Sequence, residues 1–306
     1  MIRKLSVLLF MAVIMLANEG SAQYQKVNSH GLDIYFRIFG KGTPILIVGG
    51  GPGDVSDRVL GICDLLSQSY QCILVDQRGT GLSSPTKYDS TTISVALTLD
   101  DFETIRTSLG YKDWVVLGAS YGGYLASLYA ADYPASISSI IFVGTAGLNM
   151  DLFAYFLDNI MVRLQPADIE VIKYWDDSAI MAQDPQKAQV EQIRAMMPAY
   201  FYDRNKSLLV SEPMELTDFN FDVGRWIFAD IGKRNLDLTK MGLSYDKPVL
   251  ILHGRQDPMG ESIPQIVSRF YAKSKLVFLE RCGHYSWVEQ PEPFYAAIKD
   301  FLPPGK

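Results

Sequence analysis

The chain has 306 residues, of which 48% are hydrophobic and 20% are charged, and its net charge is −6 at pH 7. This composition is typical of a folded globular protein with a sizeable buried core. No run of Lys or Arg stands out, so the composition argues against nucleic acid or an anionic membrane surface as a partner.

Residues 1–22 predict a signal peptide. Basic residues at the start precede an apolar run over residues 5–17, and small side chains before Gln23 favour cleavage there. The apolar run is short for a bilayer span, and an uncleaved anchor is the alternative. We therefore expect a secreted or periplasmic protein with no stable membrane association once the signal peptide is removed.

Strand and helix patterns alternate after the signal peptide. Short apolar runs bounded by turn residues predict parallel strands buried on both faces of a sheet, and the stretches between them have the apolar spacing of helices. The sequence therefore predicts an α/β fold with a mostly parallel sheet. The predicted strands cover residues 32–39, 45–48, 71–75, 114–117, 138–143, 248–252 and 275–279, and the predicted helices cover residues 55–69, 94–109, 120–133, 262–271 and 293–301.

Residues 149–238 interrupt this alternation, because they contain helical patterns and no clear strand. We expect a helical cap inserted into a core made of residues 23–148 and 239–306. Ligands bind outside the carboxyl ends of the strands in open α/β sheets, so a cap at that edge would cover the binding site. A helical appendage without contact to the site is the alternative.

A G-x-S-x-G motif, formed around Gly118, Ser120 and Gly122, lies between a predicted strand and a predicted helix. In this context the motif predicts a nucleophile elbow, a sharp turn that exposes the serine side chain. The flanking glycines are expected because a side chain there would collide with neighbouring backbone. Ser120 is the candidate nucleophile, and a glycine-rich turn with a surface serine is the alternative.

A serine nucleophile needs a base, and the chain contains three histidines, His30, His253 and His284. We assign the base to His284, which follows the last predicted strand, whereas His30 precedes the core sheet and His253 ends a buried strand. Asp257 follows another strand and is the candidate carboxylate that orients the base, with Glu261 as the alternative. The chain order of serine, aspartate and histidine is that of nucleophile-elbow hydrolases.

The candidate oxyanion hole combines two backbone N–H groups. Tyr121, the residue after the nucleophile, provides one, and the glycine-rich loop at residues 49–53 provides the other, which we assign to Gly51. The loop lacks both G-K-[ST] and G-x-G-x-x-G, so a phosphate-binding role is disfavoured. Farther along, Asp76 and Arg78 are expected to pair and brace this loop, and the alternative is that Arg78 binds a substrate carboxylate.

The chain contains Cys63, Cys72 and Cys282. Export would permit a disulfide between Cys63 and Cys72, and three buried free thiols are the alternative. No Cys/His cluster has the spacing of a metal site, so neither a metal nor another cofactor is expected.

Taken together, five motifs resemble the proline iminopeptidase branch of the α/β-hydrolases. They are Gly50-Gly51-Pro52-Gly53, the segment D-Q-R-G-T-G-L-S at residues 76–83, the Ser120 elbow, the segment H-G-R-Q-D-P at residues 253–258, and Gly283-His284. The resemblance covers nearly the whole chain after residue 22 except the cap. It implies the α/β-hydrolase fold and a cofactor-free serine hydrolase that releases the N-terminal residue, often proline, from short peptides. It further implies that Ser120 attacks, His284 transfers the proton and Asp257 orients His284.

The resemblance also concerns substrate binding, because proteins of this branch grip the free amino group of the substrate with Glu residues of the cap. The chain departs from the branch at Gly49, where His is usual, and at Tyr121, where Trp is usual. A carboxylate facing a cation in a desolvated pocket is strongly attractive, and solvated surface carboxylates are the alternative for each residue. The candidate substrate ligands in this cap are Glu170, Glu191, Glu212 and Glu215.

Three functions are consistent with this sequence. The first is an aminopeptidase for short peptides. The second is a carboxylesterase, or another hydrolase of a small ester or C–C bond, on the same scaffold. The third is a non-catalytic ligand-binding protein, against which the complete Ser-His-Asp set argues. A small molecule or a short peptide is the expected partner in each case.

Overall fold

The computed structural model describes residues 22–149, 151, 153–242 and 245–303. Residues 1–21 of the predicted signal peptide lie outside the described residues. Within the described ranges the strands are β1 (Gln25–Ser29), β2 (Leu32–Phe39), β3 (Pro44–Val48), β4 (Gln71–Val75), β5 (Trp114–Ala119), β6 (Ile137–Val143), β7 (Val249–Gly254) and β8 (Ser274–Leu279). They form one sheet in the order β1-β2-β4-β3-β5-β6-β7-β8.

The predicted α/β fold with a mostly parallel sheet is confirmed. The pairs from β4 through β3, β5, β6 and β7 to β8 are parallel, whereas β1 pairs antiparallel with β2 and β2 pairs antiparallel with β4. The sequence patterns missed β1, because its residues Q-K-V-N-S are mostly polar and exposed at the edge of the sheet. An edge strand needs no continuous apolar run, since only one side of it pairs.

The parallel strands are buried because helices cover both faces of the sheet. Every residue of β5 and of β7 is buried. One apolar cluster lies on each face. The core helices are α1 (Leu60–Leu66), α2 (Val95–Ser108), α3 (Tyr121–Asp132), α10 (Ser262–Phe270), α11 (Ser286–Glu289) and α12 (Pro291–Phe301).

The helix α2 illustrates how these elements follow from the sequence. Its buried stripe includes Val95, Leu99, Phe102 and Ile105, which recur at helical spacing. The side chain of Ser94 accepts a hydrogen bond from the Leu97 N–H at 3.3 Å and caps the first turn. The predicted helix therefore forms with its bounds shifted by one residue at each end.

The predicted helical insertion between β6 and β7 is present. Its helices are α4 (Phe153–Met161), α5 (Pro166–Asp176), α6 (Ser178–Met181), α7 (Pro185–Met196), α8 (Leu208–Ser211) and α9 (Phe221–Arg234). The insertion meets the core through backbone hydrogen bonds, from the Asn220 N–H to the Gly53 carbonyl at 2.8 Å and from the Val55 N–H to the Asp218 carbonyl at 3.0 Å. The helical insertion is therefore fastened to the glycine-rich loop after β3.

Two further properties concern the chain as a whole. Cys63, Cys72 and Cys282 are all buried and free, so the structure contains no Cys63–Cys72 disulfide. None of the helices in the described ranges combines the length and the apolar character that crossing a membrane requires.

Candidate active site

Ser120 occupies the turn between β5 and α3, at the carboxyl end of the central strand. Its backbone has φ 53° and ψ −120°, a conformation that non-glycine residues rarely adopt. A Cβ on Gly122 would lie 2.2 Å from the Val48 carbonyl oxygen, and one on Gly118 would lie 2.3 Å from the Gly122 carbonyl oxygen. Both glycines are therefore required, because β3 and the first turn of α3 cross this sharp bend at close range.

His284 and Asp257 form a buried hydrogen-bonded pair. The Nδ1 atom of His284 lies 2.8 Å from Oδ2 of Asp257, in the direction that a Ser-His-Asp arrangement requires. The other carboxylate oxygen of Asp257 accepts the Met259 N–H at 2.8 Å. Ser120 and His284 line the same cavity. The loops after β5, β7 and β8 thus bring the three predicted residues to one edge of the sheet.

The charge state of Asp257 follows from its neighbours. Burial pushes the pKa of Asp257 upward, but His284, His253 and the hydrogen bonds together outweigh burial and leave this pKa below its usual value. Gly144, at the end of β6, adds close packing: a Cβ there would lie 2.9 Å from Oδ2 of Asp257 and 3.0 Å from Nδ1 of His284. Asp257 is therefore an ionised acceptor in a tightly packed site.

The alternative residues lie elsewhere. His30 is on the surface, where it pairs with Asp100 at 3.0 Å. Glu261 pairs with Arg255 at 2.9 Å, and its side chain is 43% exposed. Neither residue belongs to the lining of the cavity that contains Ser120.

The cavity above Ser120 has a volume of about 240 Å³. Its walls come from the glycine-rich loop, from the strand ends of the core and from the helical insertion, and they are mainly apolar and aromatic. The lining residues from the insertion are Phe156, Ile193, Met197, Tyr200, Phe219 and Phe228, and those from the core include Val59, Ala119, Tyr124, Val143, Met259 and Trp287.

The two predicted oxyanion donors line this cavity as well. Tyr121 begins α3, where backbone N–H groups have no partner within the helix. In the glycine-rich loop, Gly50 comes closest to the nucleophile, because a Cβ on it would lie 2.7 Å from Cβ of Ser120. Gly51, the predicted donor, follows with φ 70° and continues the same wall.

The expected pairing of Asp76 with Arg78 is wrong. Arg78 is buried and makes a two-point ion pair with Asp101, at 2.9 Å and 2.5 Å. Asp76 instead accepts hydrogen bonds from the Ser56 hydroxyl at 2.5 Å and from the Leu82 N–H at 3.0 Å. Asp76 and Arg78 therefore anchor the loop after β4 through different partners. Arg78 does not line the cavity.

The four cap glutamates that the resemblance suggested do not line the cavity. Glu170 pairs with Lys173 at 3.0 Å on the surface of α5, and Glu191 pairs with Arg194 at 2.7 Å on α7. Glu212 and Glu215 are exposed. Three of the four carboxylates are exposed to solvent, and the half-buried Glu191 is neutralised by Arg194, so none of them is directed at the cavity.

The charged pair in the cavity is one that sequence reasoning missed. Asp54 and Arg58 both line the cavity and pair at 3.1 Å, with side chains that are 23% and 10% exposed. Arg58 also donates to the Tyr285 hydroxyl at 3.1 Å and lies 4.7 Å from the centre of the Phe219 ring. Burial raises the pKa of Asp54 to about 6, although Arg58 opposes this shift. The available signal was an i,i+4 Asp–Arg pair directly after the glycine-rich loop.

A second missed residue, Glu289, ties the histidine loop to the insertion. Its buried carboxylate accepts the N–H groups of Gly283 at 2.6 Å, Asp203 at 2.9 Å and Tyr202 at 3.1 Å. The His284 N–H itself donates to the carbonyl of Tyr200 at 2.7 Å. The position of His284 therefore depends on both regions of the chain.

The chain has recognisable relatives. A family model described as "alpha/beta hydrolase fold" matches residues 43–291. A protein named proline iminopeptidase from Heyndrickxia coagulans is 27% identical over 291 residues, covering 92% of this chain and 95% of that protein. The resemblance to this branch, drawn from five motifs, is thus matched by similarity along nearly the whole chain.

Solved structures agree on the fold. An α/β fold family hydrolase from Bacillus anthracis str. Sterne superposes with a TM-score of 0.72 at 18% identity, covering 92% of this chain and 99% of that one. An esterase from Exiguobacterium antarcticum superposes with a TM-score of 0.65 at 20% identity, covering 91% and 99%. Across the described ranges no group of three or more His, Cys, Asp or Glu residues is placed to hold a metal ion.

Proposed function

The chain belongs to the α/β-hydrolase fold family, and on that premise we propose that it is a serine hydrolase that releases the N-terminal residue from short peptides. Ser120 is the nucleophile, His284 is the base and Asp257 orients His284. The single observation that carries the aminopeptidase proposal is the carboxylate of Asp54, which lines the same cavity as Ser120 and His284. A carboxylate beside the nucleophile suits a substrate with a free ammonium group.

The proposed reaction proceeds through an acyl-enzyme. The Ser120 hydroxyl attacks the acyl carbon while Nε2 of His284 takes its proton, and the Nδ1 hydrogen bond to Asp257 stabilises the imidazolium. The oxyanion accepts hydrogen bonds from the backbone N–H of Tyr121 and from a backbone N–H of the glycine-rich loop, which we assign to Gly51. His284 then protonates the leaving amine as the C–N bond breaks. Water, deprotonated by His284, then attacks the ester carbon; as the bond from this carbon to the Ser120 oxygen breaks, His284 returns the proton to Ser120 and the free amino acid leaves.

The charges around Asp54 favour a cation as the incoming group. Asp54 and Asp218 both act on Arg58, so two carboxylates face one guanidinium. An ammonium group would balance this excess of negative charge, whereas a carboxylate would increase it. The rings of Phe219 and Tyr285 in the same wall add faces on which a desolvated cation can rest.

The position of Asp54 also limits the distance between the ammonium and the scissile bond. The Asp54 carboxylate folds back over the glycine-rich loop, where a Cβ on Gly51 would lie 2.4 Å from its oxygen. Gly50 in the same loop lies against Ser120. This proximity to one loop suits a substrate whose ammonium lies close to the acyl carbon, as in an N-terminal amino acid.

Ester hydrolysis is the second candidate. It is favoured by the rest of the lining, in which apolar side chains such as Phe156, Ile193, Met197 and Met259 predominate. Such walls suit a neutral acyl group and provide no further partner for an ammonium. In this alternative Asp54 and Arg58 would serve each other as a structural ion pair.

The test compares substrates with and without the ammonium group. We expect proline or alanine 4-nitroanilide to be cleaved, and N-acetylation of the same compounds to lower kcat/KM by roughly 10- to 100-fold through loss of a charge-assisted hydrogen bond. Asp54→Asn should cause a similar loss for the free amines and little change for 4-nitrophenyl acetate. Asp57→Asn, which removes a neighbouring carboxylate that is 58% exposed and pairs with Arg37, is the matched control.

The opposite result identifies the second candidate. Efficient turnover of the ester, combined with no preference for free over acetylated amines and no effect of Asp54→Asn, would contradict the aminopeptidase proposal. Absence of turnover and absence of Ser120 labelling by a fluorophosphonate would contradict catalysis altogether.

A further inference from the structure

His253 is a buried imidazole for which the reaction described above has no use. It lies near the end of β7, has no exposed surface, and packs edge-on against the Phe278 ring at 6.1 Å. Among the described residues neither of its ring nitrogens makes a hydrogen bond of ordinary length and angle, and only the backbone of Gly260 faces the ring as a weak partner. A buried polar group without a partner costs free energy, so its presence at this position needs an explanation.

The nearest charged group is the carboxylate of Asp257. The Nδ1 atom of His253 lies 3.9 Å from Oδ2 of Asp257, and both side chains have no exposed surface. The same Oδ2 atom accepts the hydrogen bond from Nδ1 of His284 at 2.8 Å. A carboxylate oxygen has two lone pairs, so Oδ2 can interact with an imidazole on each side.

We propose that His253 is a positioning residue that, together with His284, holds the Asp257 carboxylate in place. This inference rests on the proposed roles of Ser120, His284 and Asp257. The neutral imidazole of His253 directs its Nδ1–H toward Oδ2 of Asp257, and the attraction is little screened because water does not reach either group. Asp257 then stays ionised and aligned while His284 cycles between imidazole and imidazolium.

The surroundings of His253 favour the neutral form. Burial lowers the pKa of His253 more than Asp257 raises it, and the positive form of His284 lowers this pKa further. Glu261 and the backbone of Gly260 are the other polar groups that face His253. Around Asp257, the further titratable or charged groups are Arg163, Tyr200 and Cys282. A neutral donor adds no charge to the site and so leaves His284 as the only group that needs to gain a proton.

The test uses variants of His253 that differ only in the position of the donor. In His253→Asn the amide nitrogen can occupy the place of Nδ1, in His253→Gln it can occupy the place of Nε2, and His253→Leu has no donor. The readout is the rate constant for labelling of Ser120 by a fluorophosphonate, which needs the base but no known substrate. His30→Asn, at an exposed histidine, is the control.

We expect His253→Leu and His253→Gln to label roughly tenfold more slowly than the parent chain, and His253→Asn to remain within about threefold, because only Asn keeps a polar N–H facing the buried carboxylate. For 4-nitrophenyl acetate, kcat should fall with little change in KM. The acid limb of the rate profile should move to higher pH in the Leu variant, because an unassisted carboxylate holds the imidazolium more strongly.

Contrary results are equally distinct. Equal labelling rates in all variants, or equal slowing in the Asn and Gln variants with an unmoved acid limb, would overturn the positioning role. If the Leu variant does not fold, the comparison of Asn with Gln still decides the question. A parent chain that fluorophosphonate does not label at Ser120 would contradict the proposed function instead.

Discussion

The core and the helical insertion contribute different things to the site. The core supplies the proposed reactive groups, since Ser120, Asp257 and His284 follow β5, β7 and β8. The insertion supplies walls, mostly aromatic or aliphatic, and its four candidate glutamates lie outside the cavity. Parallel strands end at one common edge, so loops after them converge, whereas surface helices have no such constraint. A polar residue directly after a strand can therefore be assigned to the site from sequence more reliably than an acidic residue on an inserted helix.

The two regions nevertheless form one site, because the insertion contacts both the glycine-rich loop and the loop that contains His284. It hydrogen-bonds to the glycine-rich loop through Asp218 and Asn220 and to the histidine loop through Tyr200. These contacts are made by backbone atoms, which do not depend on side-chain identity. We therefore expect substitutions in the core to cause the largest loss of activity. Substitutions where the two regions meet should cause an intermediate loss, and those on the outer surface of the insertion a small one.

The largest effect is expected for Ser120→Ala. Fluorophosphonate labelling should disappear, and turnover should fall by roughly 10⁴- to 10⁶-fold, as for other nucleophile replacements in hydrolytic triads. Thermal unfolding should show a folded protein. Activity that persists in this variant would show that Ser120 is not the nucleophile, and would contradict the assignment of the reactive groups to the core.

A smaller effect is expected where the regions meet, for Glu289→Gln. The amide can satisfy only part of the three N–H groups that the carboxylate accepts, so we expect kcat to fall by roughly 10- to 100-fold and the unfolding temperature to drop by several degrees. The matched control is Glu292→Gln at an exposed position of α12. Equal behaviour of the two variants would mean that the insertion does not hold the histidine loop.

The pH dependence of substrate binding should reveal Asp54. Because the pKa of Asp54 is raised to about 6, the ionised form is lost as the pH falls through that value. Between pH 7 and pH 5, KM for free-amine substrates should therefore rise by roughly tenfold. The neutral ester serves as reference, because protonation of His284 affects both substrates. A KM ratio that does not change with pH would remove Asp54 from substrate binding.

The smallest effects are expected on the outer insertion. Glu170→Gln, Glu191→Gln, Glu212→Gln and Glu215→Gln should each change kcat/KM by less than about twofold, because none of these carboxylates lines the cavity: three are exposed, and the half-buried Glu191 is paired with Arg194. Steady-state kinetics with a free-amine 4-nitroanilide provides the measurement. A large loss in any one of them would show that the insertion rearranges when substrate binds.

Much of the fold was predictable, as was the convergence of Ser120, His284 and Asp257 at one edge of the sheet, because both rest on local constraints. Buried parallel strands require apolar runs, and the elbow requires glycines around Ser120, so both produce recognisable sequence patterns. The edge strand β1 has no such pattern, since its residues are mostly polar and exposed. The partner of Arg78 was missed because Arg78 lies in the loop after β4 whereas Asp101 lies on α2, at a separation that no local pattern encodes.

The sequence by itself determined the α/β fold, the placement of the three proposed reactive residues after successive strands and the need for glycine at the elbow, since strand burial and backbone crowding restrict which residues are allowed. Only the tertiary structure decided which acids face the cavity. It kept the four candidate glutamates of the insertion away from the cavity and brought Asp54 to it, because side-chain direction depends on how helices and loops pack around the finished sheet.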